Sequence, residues 1–184
     1  GVQRVDVAEL DEAGHAAAAL GFSPGSVGLV SVRATSRSSR GVMQQLRGDN
    51  DMRTYAKLHE KVVIALAGKA GVEMKFGVTD VGAMRDLESA ARSVQDFIID
   101  GATAGFGLLH TAERWAISGN GQYERVSEER GAELARCFNE AKAILMRNWG
   151  FVECLAAELV KKDTLMYEEI NELYDKFVKS DGGK

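Results

Sequence analysis

The segment Asp6-Val7-Ala8-Glu9 constrains this chain most, because an acidic cap followed three residues later by glutamate is the reciprocal pattern that opens a helix. The helix is predicted to carry an apolar stripe of Val7, Leu10, Gly14, Ala17 and Ala18 and to stop at Gly21. Asp11 and His15, four residues apart, are thereby placed on one face of a rigid element, with Glu12 beside them.

Asp11-Glu12-Ala13-Gly14-His15 reproduces the helical zinc motif His-Glu-x-x-His except that aspartate stands at the first ligand position. In the intact motif two imidazoles hold Zn²⁺ and the glutamate takes a proton from the metal-bound water. Here the base (Glu12) and one imidazole (His15) are kept. Aspartate also ligates zinc, but its shorter side chain on a fixed helix must draw the metal inward or leave a bond unmade. A second anionic ligand leaves the bound water less acidic and a substrate carbonyl less polarised. There is a plainer account of each residue. Asp11 and Glu12 are acids near a helix N-terminus, where the macrodipole favours them, and His15 is equally readable as a core histidine bonded to a carboxylate.

A chain of 184 residues with 45% hydrophobic residues is long enough for one or two domains with a sizeable core. A net charge of −4 argues against nucleic-acid binding, which needs clustered surplus Lys and Arg. Arg33, Arg37, Arg40 and Arg47 are the nearest approach to such a patch and read as a solvated loop. Cys137 and Cys154 lack CxxC spacing and read as buried free thiols of a reducing compartment rather than nucleophiles. There is no apolar run long enough for a bilayer and no signal peptide. A start at Gly1 rather than methionine suggests a domain excised from a longer protein. The sequence contains no GxxxxGK[ST] loop, so ATP is expected to bind only through another domain.

Val27 to Arg33 and Gly41 to Leu46 read as two short strands joined by the Ser/Arg-rich loop 34–40. An amphipathic helix is predicted from Asp51 to about Gly68. Leu87, Ala90, Ala91, Val94, Phe97 and Ile98 mark another, broken by the glycines of 101–107. Residues 108–126 read as a loop between two subdomains, 1–107 and 127–179. Ser127 is expected to cap a helix with Leu134, Cys137, Phe138, Ala141, Ile144 and Leu145 along one face. Shorter helices follow near Phe151–Val160 and Tyr167–Val178, before a polar tail at 180–184. The fold class is thus mainly α with a small β hairpin. His59-Glu60 has no second histidine at motif spacing and reads as a helix-face pair. His110 has no evident partner, and Trp115 and Tyr123 suit a lid packed on the core.

Asp11 to Ala16 resembles the HEAGHA segment of FtsH-type membrane-anchored AAA zinc proteases, and further segments follow in that family's order. Ala65 to Glu73 with Phe76-Gly77 is similar to ALGGRAAEE…FG, and Thr79 to Leu87 to the TxGASNDL stretch that carries the third metal ligand. Ser127-Glu128-Glu129 resembles SEET, and Lys162 to Ile170 resembles KETLxxxEI. Departures gather at the metal: Asp11 replaces a histidine, Val72 the first of two glutamates, and Met84-Arg85 a Ser-Asn pair.

The resemblance implies a peptidase domain with a zincin-like motif helix and a C-terminal helical bundle. It implies Asp11, His15 and Asp86 as the zinc ligands, with Asp80 as a rival, and Glu12 as the general base. Without the family, Asp86 is equally a partner for Arg85 or Arg92. Glu73 would orient a ligand histidine from behind, or else is a helical surface acid. The strand at Gly41, Val42, Met43 and Gln44 would be the edge to which extended substrate pairs. The resemblance further implies a hexameric, membrane-tethered parent, with this domain on a cytoplasmic, matrix or stromal side, handling unfolded or membrane proteins. No direct membrane contact by the domain is expected. With one imidazole lost, the leading expectation is a proteolytically impaired domain without tightly held zinc and with a structural role in the assembly. An active Asp-ligated metalloprotease is the alternative, and a peptide-binding module a third.

Overall fold

A computed structural model describes residues 4–33, 41–46, 54–79, 83–100 and 120–181. Within them lie α1 (Val7–Phe22), β1 (Val27–Ser31), β2 (Val42–Gln45), α2 (Tyr55–Phe76), α3 (Met84–Asp100), α4 (Asn120–Arg147), α5 (Trp149–Lys162), β3 (Thr164–Met166) and α6 (Tyr167–Asp181). The fold is mainly helical with one small antiparallel sheet, as the sequence predicts.

Helix α1 opens at the predicted reciprocal cap. The Asp6 side chain accepts from the first turn, and the Glu9 carboxylate accepts from the Asp6 amide at 2.9 Å. From Leu10 to Leu20 every residue except Asp11 is buried, which makes α1 the central rod of the core rather than an amphipathic surface helix. Its run of small residues lets α2 approach closely. A Cβ on Gly14 would lie 2.6 Å from the Ala67 carbonyl oxygen, so only glycine permits this contact.

Helix α2 continues past the predicted stop at Gly68 to Phe76, where Gly77 at φ 67° ends it in the left-handed conformation. It starts at Thr54, whose hydroxyl accepts from the Lys57 amide, rather than at Asp51. Gly68 is a mid-helix glycine kept for packing, a distinction that a local rule cannot make. Helix α4 likewise begins at Asn120, seven residues before the expected Ser127 cap, so 120–126 is helical rather than loop.

The sheet order is β2-β1-β3. The third strand was not expected: Thr164–Met166 pairs antiparallel with Leu29–Ser31 across more than 130 positions of sequence. Ser31 and Thr164 hydroxyls share a hydrogen bond of 2.7 Å, and the Val32 amide donates to the Asp163 carbonyl at 2.9 Å. The KETL-like segment therefore closes the sheet before α6 begins. Phe151, fully buried, joins α5 to α6 through edge and tilted contacts with Tyr174 and Phe177. Both cysteines are free, Cys137 buried but Cys154 exposed, which corrects the expectation of two buried thiols. No described helix is long and apolar enough to cross a membrane.

Candidate metal centre

Three side chains, two from α1 and one from α3, converge where α1 crosses α2. The His15 Nε2 lies 3.6 Å from an Asp11 carboxylate oxygen and 3.4 Å from one of Asp86, at the start of α3. One ligand atom from each of the three residues lies within 4.8 Å of the others. The sequence placed Asp11 and His15 together by helical spacing, but Asp86 is brought to them by the packing of α3 on α2. Its rival Asp80 lies outside the described residues, as do Arg37, Arg40, Arg47, His110, Trp115 and the side chain of Tyr123.

The other imidazole nitrogen, Nδ1, is 2.7 Å from the Ile64 carbonyl oxygen on α2. That bond sets the ring so that Nε2 faces the carboxylates, which is the orientation a ligand histidine needs. The family resemblance offers Glu73 for this orienting role, with a helical surface acid as the alternative. In the structure Glu73 binds Lys142 at 2.9 Å and Lys69 at 3.4 Å instead, and these cations hold its carboxyl below the usual range. A backbone carbonyl leaves no signature in sequence, so Ile64 was invisible beforehand.

Gly68 provides the floor of the site. A Cβ there would stand 2.5 Å from His15 Nε2 and closer still to Asp11 Oδ1, so glycine keeps open the space into which both groups point. On the opposite flank Gly41, just before β2, packs against Glu12: a Cβ on it would meet Glu12 Cγ at 2.8 Å. The Glu12 carboxylate thus lies between its own helix and the residue that leads into β2.

Electrostatics follow from that burial. Glu12 is 7% exposed, and loss of hydration pushes its carboxyl up to about 7; His15 opposes the rise, and Asp11 and Asp86 add to it. For His15 burial disfavours the charged ring, yet hydrogen bonds to Asp11 and Asp86 prevail and raise it well above the ordinary histidine value. The two carboxylates thus favour the charged form of the ring against its burial.

The three ligand atoms fit a divalent cation in number, and the two separations measured from His15 Nε2 fit it in spacing. Zinc bonds of 2.0–2.2 Å imply donor separations of about 3.4 Å in a tetrahedron, close to the 3.4 and 3.6 Å found. They differ from a strong hydrolytic set in charge, having two anionic donors and one neutral one.

Comparison with known proteins agrees with this architecture. The family model described as peptidase family M41 matches residues 3–173. The ATP-dependent zinc metalloprotease FtsH 1 of Alkaliphilus metalliredigens is 26% identical over 96% of this chain and 31% of its own length. FtsH 1 of Sorangium cellulosum is 27% identical over 88% of the chain and 28% of its length. A rice homologue, the chloroplastic/mitochondrial FTSH 9, is 26% identical over 88% and 21%. The chain thus spans less than a third of the length of these relatives. Since the match to the family model covers nearly the whole chain, motif helix included, the chain belongs to peptidase family M41.

Proposed function

We propose that this chain is a proteolytically impaired M41 peptidase domain, whose main contribution is to the assembly of a hexameric, membrane-tethered ATPase–peptidase that handles unfolded or membrane proteins. The observation that carries it is the donor set: one imidazole between two carboxylates, with Asp11 where the motif has histidine. Two aspartates neutralise a bound Zn²⁺, so the cation withdraws less electron density from water and from a peptide carbonyl than it does with two imidazoles and one aspartate. Zinc is the cofactor the relatives' names carry, and Asp11, His15 and Asp86 are the residues that would hold it. ATP, which those names also carry, would bind through a domain other than this one, since the sequence has no GxxxxGK[ST] loop.

A second reading, residual metalloprotease activity, is supported by Gly68 and Gly41, which keep room around the donors and hold Glu12 at the site. In it Glu12 is the base, and the edge of β2 that no described strand pairs with, from Gly41 through Gln44, receives extended substrate by main-chain hydrogen bonds. One experiment separates the two. Zinc content and chelator-sensitive cleavage of an unfolded polypeptide are measured for the chain and for Asp11→His. Impairment is upheld when Asp11→His gains both. It fails when the unaltered chain carries near-stoichiometric zinc and cleaves, and Glu12→Gln abolishes the cleavage.

A further inference from the structure

A second group of metal-type donors lies between α2 and α4, away from the motif helix. His59 Nδ1 is 3.7 Å from Cys137 Sγ and 3.9 Å from Glu133 Oε1, and Sγ is 3.9 Å from that same oxygen. Glu133 and Cys137 are four apart on α4 and so share a face, while His59 reaches them from α2. These separations are near the edges of a tetrahedron with bonds of about 2.0–2.3 Å to nitrogen, oxygen and sulfur.

Two of the three ligand candidates, His59 and Glu133, are also held from behind. Glu140 Oε2 lies 2.6 Å from His59 Nε2, the nitrogen facing away from the cluster, which is the carboxylate–histidine arrangement that orients metal ligands. The Arg136 guanidinium donates to the second oxygen of Glu133, leaving Oε1 toward the sulfur. Tyr55 stacks on the His59 ring with planes 17° apart. Cys137 is fully buried, while His59 and Glu133 keep partial exposure through which an ion and a solvent ligand enter.

We propose that His59, Glu133 and Cys137 form a second, thiolate-containing site for Zn²⁺ that ties α2 to α4. The mixed nitrogen, oxygen and sulfur set selects a borderline-soft cation and disfavours Mg²⁺ and Ca²⁺. In the metal-free protein burial, with Glu133 and Glu140 nearby, pushes the Cys137 thiol up to about 12. A divalent cation inverts that balance and takes the thiolate, releasing the thiol proton to solvent. Because α2 also carries Ile64 and Gly68, an ion here steadies the helix that frames His15.

Co²⁺ tests this without interference from the motif site, whose donors include no sulfur. Cys154 is exposed, so Cys154→Ser leaves Cys137 as the single thiol at little risk to the fold. Titrating the Cys154→Ser chain with Co²⁺ should develop a saturable sulfur-to-cobalt charge-transfer band, and Zn²⁺ should displace it. Adding His59→Gln should weaken the band's titration at least 10-fold; Glu133→Gln, on a partly exposed ligand, does the same should the histidine variant not fold. No band in the Cys154→Ser chain, or a band undiminished in the folded ligand variants, overturns the site.

Discussion

Gly68→Ala is the sharpest probe of the motif site, since one methyl group enters the space between the donors. Away from tertiary contacts the change favours a helix by about 0.5–1 kcal/mol. Here the new Cβ would stand 2.5 Å from His15 Nε2. Restoring ordinary van der Waals separation moves that atom by about 1 Å, twice the tolerance of roughly 0.5 Å within which a binding constellation works. His15 cannot yield freely, because Nδ1 is bonded to Ile64 in the same helix that carries the intruding methyl. Overpacking of this kind costs about 1–3 kcal/mol, which offsets the propensity gain and leaves a net loss of about 0–2.5 kcal/mol. The chain should therefore stay folded while metal affinity at the motif site falls about 10–100-fold, the size expected when a ligand loses its support. Urea denaturation with chelator gives the first quantity. Titration of Zn²⁺ into the Cys137→Ser background, where the second cluster lacks its sulfur, gives the other. A variant that is more stable than its parent and binds metal equally well would refute the close approach of α2 to the donors.

Glu12→Gln should stabilise the metal-free chain at pH 8. A carboxyl raised from 4.5 to about 7 on folding penalises the native state above pH 4.5, progressively up to 7 and fully beyond. That shift is worth about 3 kcal/mol at most, and 1–3 kcal/mol is expected by urea denaturation, shrinking toward pH 5; an equal gain at both pH values would discredit the buried carboxylate. Asp6→Ala removes the cap of α1 and should cost about 1 kcal/mol, checked by thermal melting, with an unchanged midpoint counting against the reciprocal bonds. Phe151→Ala should cost about 3–5 kcal/mol, because the ring is fully buried against Tyr174 and Phe177; a loss below 1 kcal/mol in denaturant would mean that α6 does not pack there.

What could be read from the residues was whatever is local. The cap at Asp6 and Glu9, the helix it opens and the shared face of Asp11 and His15 all follow from spacing within a few positions, and the structure has each of them. The two first strands were legible for the same reason, within two residues at their ends. Three features were not. Gly68 looked like a helix stop because a glycine's local preference is to end helices, whereas its role is to admit Asp11 and His15 from another helix. Thr164–Met166 is too short to announce a strand, and its partner lies on β1. His59 reads from sequence as a helix-face residue beside Glu60, because its companions sit 74 or more positions away on α4.

The sequence by itself determined the chemistry on offer: a base, one imidazole and an aspartate out of place on a capped helix. Only the tertiary structure decided which groups meet. Ile64 turns the imidazole, α3 delivers Asp86, Gly41 presses on Glu12, and α4 brings a thiol and a carboxylate to His59. The physical reason is that helical periodicity reaches only a turn or two along the chain, while burial and charge at a site depend on whichever elements the core packs together.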